Sequence, residues 1–155
     1  MTIPDRYLHS PCVAAPTTSA RYAARMMHES HIGSLVVIDD KRRPVGVVTD
    51  RDLALYVLSN DLDPEETSVG DCMSAPAVTL DSSASLSEAS AVMRRHGVRR
   101  LPIVDDNGKL VGIITGDDLV LLLGRELGEL SSAVQRGFAV ESTAHAPHGS
   151  IFGRE

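Results

Sequence analysis

The sequence predicts a mixed α/β (α+β) fold made of two repeated strand-helix-strand-strand-helix units packed as a pseudo-twofold pair. Three observations lead there. The stretch from Leu35 to Leu53 lies over the stretch from Leu101 to Leu119 at a constant offset of 66 positions, without a gap, and Asp39/Asp105, Asp40/Asp106, Val45/Val111, Gly46/Gly112, Thr49/Thr115, Asp52/Asp118 and Leu53/Leu119 are identical. Within each copy the spacing of apolar residues changes from helical to strand-like. With 155 residues the chain is as long as one ordinary domain or two very small ones, and its 43% hydrophobic content can build a core. Aromatics are 3% and Trp is absent, so that core has to come from Leu, Val, Ile, Ala and Met.

Upstream, the same offset pairs Ser19 with Ser85, Ala23 with Ala89 and Met27 with Met93, and it slips by one where Pro11-Cys12-Val13 matches Pro76-Ala77-Val78 as the entry to a first strand. Ser19 and Ser85 are N-cap candidates, and Glu88 completes a capping box with Ser85. Ala20, Ala23, Ala24 and Met27, and then Leu86, Ala89, Val92 and Met93, recur at helical spacing. The β-branched runs Val36-Val37-Ile38 and Ile103-Val104 are strands bounded by turn signals, Asp39 to Arg42 and Asp105 to Gly108, with Asn107-Gly108 the stronger hairpin signal. Val45 to Val48 and Val111 to Ile114 are the third strands, and second helices open at Asp50 to Asp52 and Gly116 to Asp118. Residues 59–68, with Asn60, Asp61, Pro64, Glu65 and Glu66, read as the linker. A unit of roughly 60 residues buries little surface alone, so the two copies should pack on each other and create clefts between them.

Composition narrows the function. A formal charge of −6 argues against a general grip on nucleic acid. The apolar stretches Leu53 to Leu58 and Leu119 to Leu123 fall far short of the roughly 20 residues of a membrane span. The first residues carry neither a basic leader nor a signal-length apolar run, and the two cysteines, Cys12 and Cys72, form no C-x-x-C, so a cytoplasmic, reduced protein without membrane attachment is expected. Both cysteines read as small packing residues. His28 and His31 sit three apart but gather no acidic or thiol partners at a ligand spacing, so no metal site is expected, and His145 and His148 lie in a polar tail. Nothing has the form of a catalytic constellation.

Each copy ends its third strand with Gly-h-h-Thr-x-x-Asp, where h is apolar: Gly46 to Asp52 and Gly112 to Asp118. A hydroxyl at a strand end and the backbone N–H groups of a helix start suit a phosphate, and a carboxylate one turn on can accept the hydrogens of a ribose diol. The alternative is that Thr and Asp only cap the helix. With Ala23-x-x-x-Met27, Leu35-x-x-x-Asp39, Val45-Gly46-x-x-Thr49-x-x-Asp52 and their counterparts, including Leu101-Pro102-Ile103-Val104-Asp105, the chain resembles the cystathionine-β-synthase (CBS) domain family over residues 7–124, as a tandem pair or Bateman module. The resemblance implies a non-catalytic regulatory module that binds AMP, ADP or ATP between its repeats, with S-adenosylmethionine or NADH as lesser alternatives. It implies that Asp52 and Asp118 hold ribose hydroxyls, that Thr49 and Thr115 meet phosphate or ribose oxygens, and that the base lies near Val13 and Leu35 in one cleft and Val78, Leu101 and Pro102 in the other.

Arg51 beside Asp52 could reach phosphate, whereas Asp117 beside Asp118 would repel it. Arg94, Arg95, Arg99 and Arg100 gather four of the fifteen basic residues. They form either a solvated helix end or a phosphate-facing rim with Arg100 as its first candidate. Leu119, Leu123, Leu127, Leu130 and Val134 step by four or three along a helix of about five turns, whose part beyond Gly124 is expected to pack across a homodimer, as in the four-domain discs that the resemblance implies. A tail from about Glu141 is expected to be mobile. The organisation expected is a first repeat in 1–63, a second in 64–124 and an extension in 125–155. The function expected is sensing an adenine nucleotide and signalling to a regulated protein through a change of shape or assembly; the alternative is a ligand-independent scaffold with degenerate clefts.

Overall fold

The computed structural model describes Ile3 and residues 8–144, with side chains through Phe138. The chain divides into two compact units, Met1–Leu119 and Val120–Glu155. The first holds both repeats. The first repeat runs β1 (Val13–Ala14), α1 (Ala20–Glu29), β2 (Ser34–Ile38), β3 (Pro44–Thr49) and α2 (Asp50–Leu53), which continues as a π-helical turn over Ala54–Leu58. A short α3 (Val69–Cys72) follows, then β4 (Leu80–Asp81), α4 (Leu86–His96), β5 (Arg100–Val104), β6 (Leu110–Thr115) and α5 (Gly116–Ala144).

Each repeat forms its own three-stranded sheet, β1-β2-β3 and β4-β5-β6, with the first pair parallel and the second antiparallel. The registers superimpose at the offset of the sequence repeat: Ala14 pairs with Val37 and Leu80 with Ile103, and both hairpins bulge at the same place, Val37/Ile38 and Ile103/Val104. One difference is chemical. Val36 donates its N–H to Cys12 O at 3.0 Å, but its counterpart is Pro102, which has no N–H to donate. The second parallel strand therefore begins at Leu80, and Val78, expected at a strand entry, lies before it. The hairpin turns are built by Asp39 and Asp105, whose Oδ1 atoms each accept two backbone N–H groups at 2.8–2.9 Å.

Ser19 caps α1 by accepting from Tyr22 N, and Ser85 with Glu88 forms the expected capping box on α4. Apolar faces of the helices close the cores: Ala20, Ala23 and Met27 pack with Leu35, Val37, Val48 and Leu53 in the first repeat. In the second, Leu86, Ala89, Leu101, Ile103, Ile114 and Leu119 are buried. The first core also takes Val69 and Cys72 from α3, a helix the sequence reading did not expect. Its signal was present as Ser68-x-x-Asp71, which forms a full capping box. The linker is tied down, since Ala20 N donates to Thr67 O and Arg21 N to Pro64 O.

The repeats interlock. β3 and β6 lie at the edges of their sheets, and each edge is covered by a segment that leads into the opposite repeat. His9 bridges Ile113 through two backbone hydrogen bonds of 3.1 Å, and Ser74 bridges Val47 at 3.1 and 2.9 Å. Val47 and Ile113 are equivalent by the main offset, whereas His9 and Ser74 differ by one position less, so the slip at Pro11/Pro76 is real and is absorbed before Ala14/Leu80.

The second unit is helical over its described residues. α5 spans 29 residues, well beyond five turns, and residues 141–144 continue it where a mobile tail was expected. The rest of that tail, with His145 and His148, lies outside the described residues. Leu123, Leu127, Leu130 and Val134 are all exposed.

Candidate functional site

Both Thr-x-x-Asp motifs close a strand and open a helix, and both form reciprocal caps. Asp52 Oδ2 accepts from Thr49 N at 2.9 Å and Thr49 Oγ1 at 2.8 Å, while Asp52 N donates to Thr49 Oγ1 at 3.1 Å. Asp118 and Thr115 repeat this at 2.8, 2.6 and 3.2 Å. Capping thus uses one oxygen of each carboxylate and leaves the other for something else.

The remaining oxygens differ. Asp52 lines a cavity of about 290 Å³, and its Oδ1 has no hydrogen-bond partner among the described residues. Val47 and Thr49 share that cavity with Ser74, Pro76 and Val78 from the approach to the second repeat and with Arg99 and Arg100 beyond α4. At the second motif, Asp118 Oδ1 meets His9 Nε2 at 2.8 Å. Burial acts to raise the Asp118 carboxyl, but the Thr115 hydroxyl, His9 and the Thr115 N–H hold it below its ordinary value. The adjoining cavity, about 230 Å³, is lined by Thr115 and Ile113 together with His9, Cys12, Gly33 and Arg100. The first cavity is at the small end of the range for small-molecule pockets.

Each cleft therefore joins the motif of one repeat to the approach segment of the other. Thr49, Asp52, Val78 and Arg100 are brought together, and Thr115 lines the second cleft, whereas Asp118 does not line it and is bonded to Thr115 and His9 beside it. Five expected residues are placed elsewhere. Leu35 and Leu101 are fully buried in the cores, because strand alternation turns these side chains inward, and Pro102, next to Leu101 and therefore on the opposite face of the sheet, is fully buried as well. Val13 lines a separate cavity with Tyr22, Met26 and Ile38. Arg51 is exposed on α2 and lines neither cleft, since neighbouring helix positions do not share a face.

Arg100 lines both clefts, is half-buried and has no ion pair among the described residues. Arg99 pairs with Asp117 at 3.3 Å across a largely exposed surface, which offsets the acid that follows the second motif. Arg94 and Arg95 lie in the last turn of α4, where cations complement the helix dipole. Sequence reasoning missed His9, and no local signal could have found it, because its partner lies 109 positions away. Cys72 is buried in the first core, which pushes its thiol up, with Asp71 and Asp52 adding to that. Among the described residues no cluster of three His, Cys, Asp or Glu could hold a metal, and no helix is long and apolar enough to cross a membrane.

Comparison with known proteins agrees with this architecture. The protein MK0525 of Methanopyrus kandleri is 43% identical over 106 residues, which cover 68% of this chain and 54% of that protein, so the chain spans about half the length of that relative. A protein with CBS domains from Burkholderia ambifaria MC40-6 superimposes with a TM-score of 0.67 at 33% identity, covering 78% of this chain and 87% of its own. The structure of CBSX2 in complex with AMP matches with a TM-score of 0.67 at 29% identity, over 81% of this chain and 98% of that one. The CBS domain profile matches twice in tandem, at residues 6–59 and 69–125, and the chain belongs to the CBS domain family as a pair.

Proposed function

We propose that the chain is a non-catalytic sensor that binds an adenosine-containing nucleotide of the AMP, ADP or ATP type between its repeats. The observation that carries this reading is the Oδ1 of Asp52, without a partner among the described residues, in a cleft that also holds Thr49 and Arg100, which has no ion pair among them. A carboxylate oxygen with no internal partner can accept a ribose hydroxyl, and the guanidinium can meet phosphate in a charge-assisted bond. The AMP bound by CBSX2 gives a precedent for the ligand class in a relative of the same fold. Signalling to a regulated protein then requires that the nucleotide prefer one of two states of the module.

Thermal denaturation with and without AMP, ADP, ATP, S-adenosylmethionine and NADH tests this. A ligand at about 100 times its dissociation constant adds roughly 2.7 kcal/mol and raises the midpoint by several degrees. Asp52→Asn should abolish most of that shift. If no adenosine ligand moves the midpoint of ligand-free protein, the scaffold reading replaces the sensor.

Assembly belongs to the same proposal. The exposed apolar stripe Leu123, Leu127, Leu130 and Val134 on α5 supports a homodimer of paired modules. Truncation after Gly124 should yield a monomer by light scattering; a truncated chain that still dimerises removes the stripe from the interface. The extension from residue 125 would then serve assembly while the repeats, in 1–63 and 64–124, serve binding.

A further inference from the structure

We infer that His9 is a tethered occupant of the second cleft, so that each chain takes a single nucleotide, at Asp52. This rests on the nucleotide reading above and concerns which cleft is used. His9 Nε2 lies 2.8 Å from Asp118 Oδ1, the oxygen equivalent to the one that Asp52 leaves without a partner. The imidazole is delivered there by the backbone, because two hydrogen bonds to Ile113 fix His9 on the edge of β6. The corresponding segment is fixed on β3 in the same way by Ser74 and Val47. The two bridging positions thus carry a side chain long enough to reach the carboxylate in one repeat and one that stops at Oγ in the other.

A ribose diol entering the second cleft has to displace His9 from Asp118, whereas at Asp52 it displaces only solvent. Breaking a hydrogen bond to a charged group weakens binding about ten- to a hundredfold. The cation supply adds to the bias. Arg100 is the guanidinium common to both clefts, and its equivalent in the first repeat is Ser34, so a phosphate bound in one cleft draws on the charge available to the other.

Isothermal titration of the full chain with AMP reads this directly. The wild type should take one AMP per chain, with Asp52→Asn removing the binding and Asp118→Asn leaving it unchanged. His9→Ser should reveal a second AMP per chain, which Asp118→Asn in that background removes. The converse change, Ser74→His, should weaken AMP at the first cleft at least about tenfold. Two AMP molecules per wild-type chain, or one per His9→Ser chain, would overturn the inference and leave the nucleotide reading standing. No binding to either protein overturns that reading and the occupant role with it. The exposed His9 lies outside both cores, and Asn at 52 or 118 retains a cap, so the variants test the clefts in folded protein.

Discussion

The two segments that cross between repeats do the same topological job by different means. Where the linker meets β3, the backbones are in tight contact: a Cβ added to Gly46 would lie 2.9 Å from Ser74 O and 2.5 Å from Met73 Sδ. Where the first described residues meet β6, the approach is looser, and a Cβ on Gly112 would find Leu8 Cβ at 3.3 Å and His9 O at 3.7 Å. The first crossing is held by close packing and a small side chain. The second is held by the same pair of backbone bonds and a long side chain that reaches the motif carboxylate. Duplication has preserved strand register to the residue, while the side chains on that register have taken separate paths. The clefts are therefore alike in construction and unlike in availability.

The largest effect that would sharpen this contrast is steric. Gly46→Ala should destabilise the protein by about 1–3 kcal/mol, because a backbone oxygen has to move, whereas Gly112→Ala should cost under about 1 kcal/mol. Urea unfolding of both variants decides it, and equal losses would mean that the crossings are equally tight. A smaller effect separates the hairpins. Arg42 is held at φ +63°, where the second repeat places Gly108 at φ +74°. Arg42→Gly should therefore stabilise by a few tenths to about 1 kcal/mol, and Gly108→Ala should destabilise by about 1 kcal/mol.

Acid gives a further contrast. The Asp118 carboxyl is held below its ordinary value near 3.8. Its contribution to stability is fully present above that unfolded-state value and is lost as pH falls through the lower folded-state one. Stability measured from pH 5 down to pH 2 should fall less steeply in Asp118→Asn than in wild type. An unchanged slope would show that His9 and Thr115 do not hold the carboxylate in solution.

Much of the fold could be read in the residues because the repeat supplied its own check. Ser19 and Ser85, the turns at Asp39 and Asp105, and the Thr-x-x-Asp boxes are local patterns, and local hydrogen bonding enforces them. The two motifs themselves were legible; the way they are shared was not. Which approach segment faces which motif depends on the crossed bridges at His9 and Ser74, and nothing within a few residues of either encodes that pairing. Leu35 and Leu101 were expected near the base only through the family resemblance, but strand alternation commits them to the cores. Val78 drops out of the second strand because Pro102 removes the donor that the first repeat has at Val36. α3 is written locally in Ser68 and Asp71, whose capping box opens a helix inside a segment with the composition of a linker.

The crossed bridges also bear on the ancestry of the chain. A lone ancestral repeat of this design would expose the edge of its third strand, with its own leading segment on the wrong side of the sheet to cover it. Two copies could satisfy each other by exchanging those segments, as swapped homodimers do. The linker keeps that exchange within one chain. Within one chain the two halves can differ, since neither has to serve both sides of a symmetric pair. His9 and Ser74 occupy matching seats in that exchange, and their difference is one that a symmetric ancestor could not have carried.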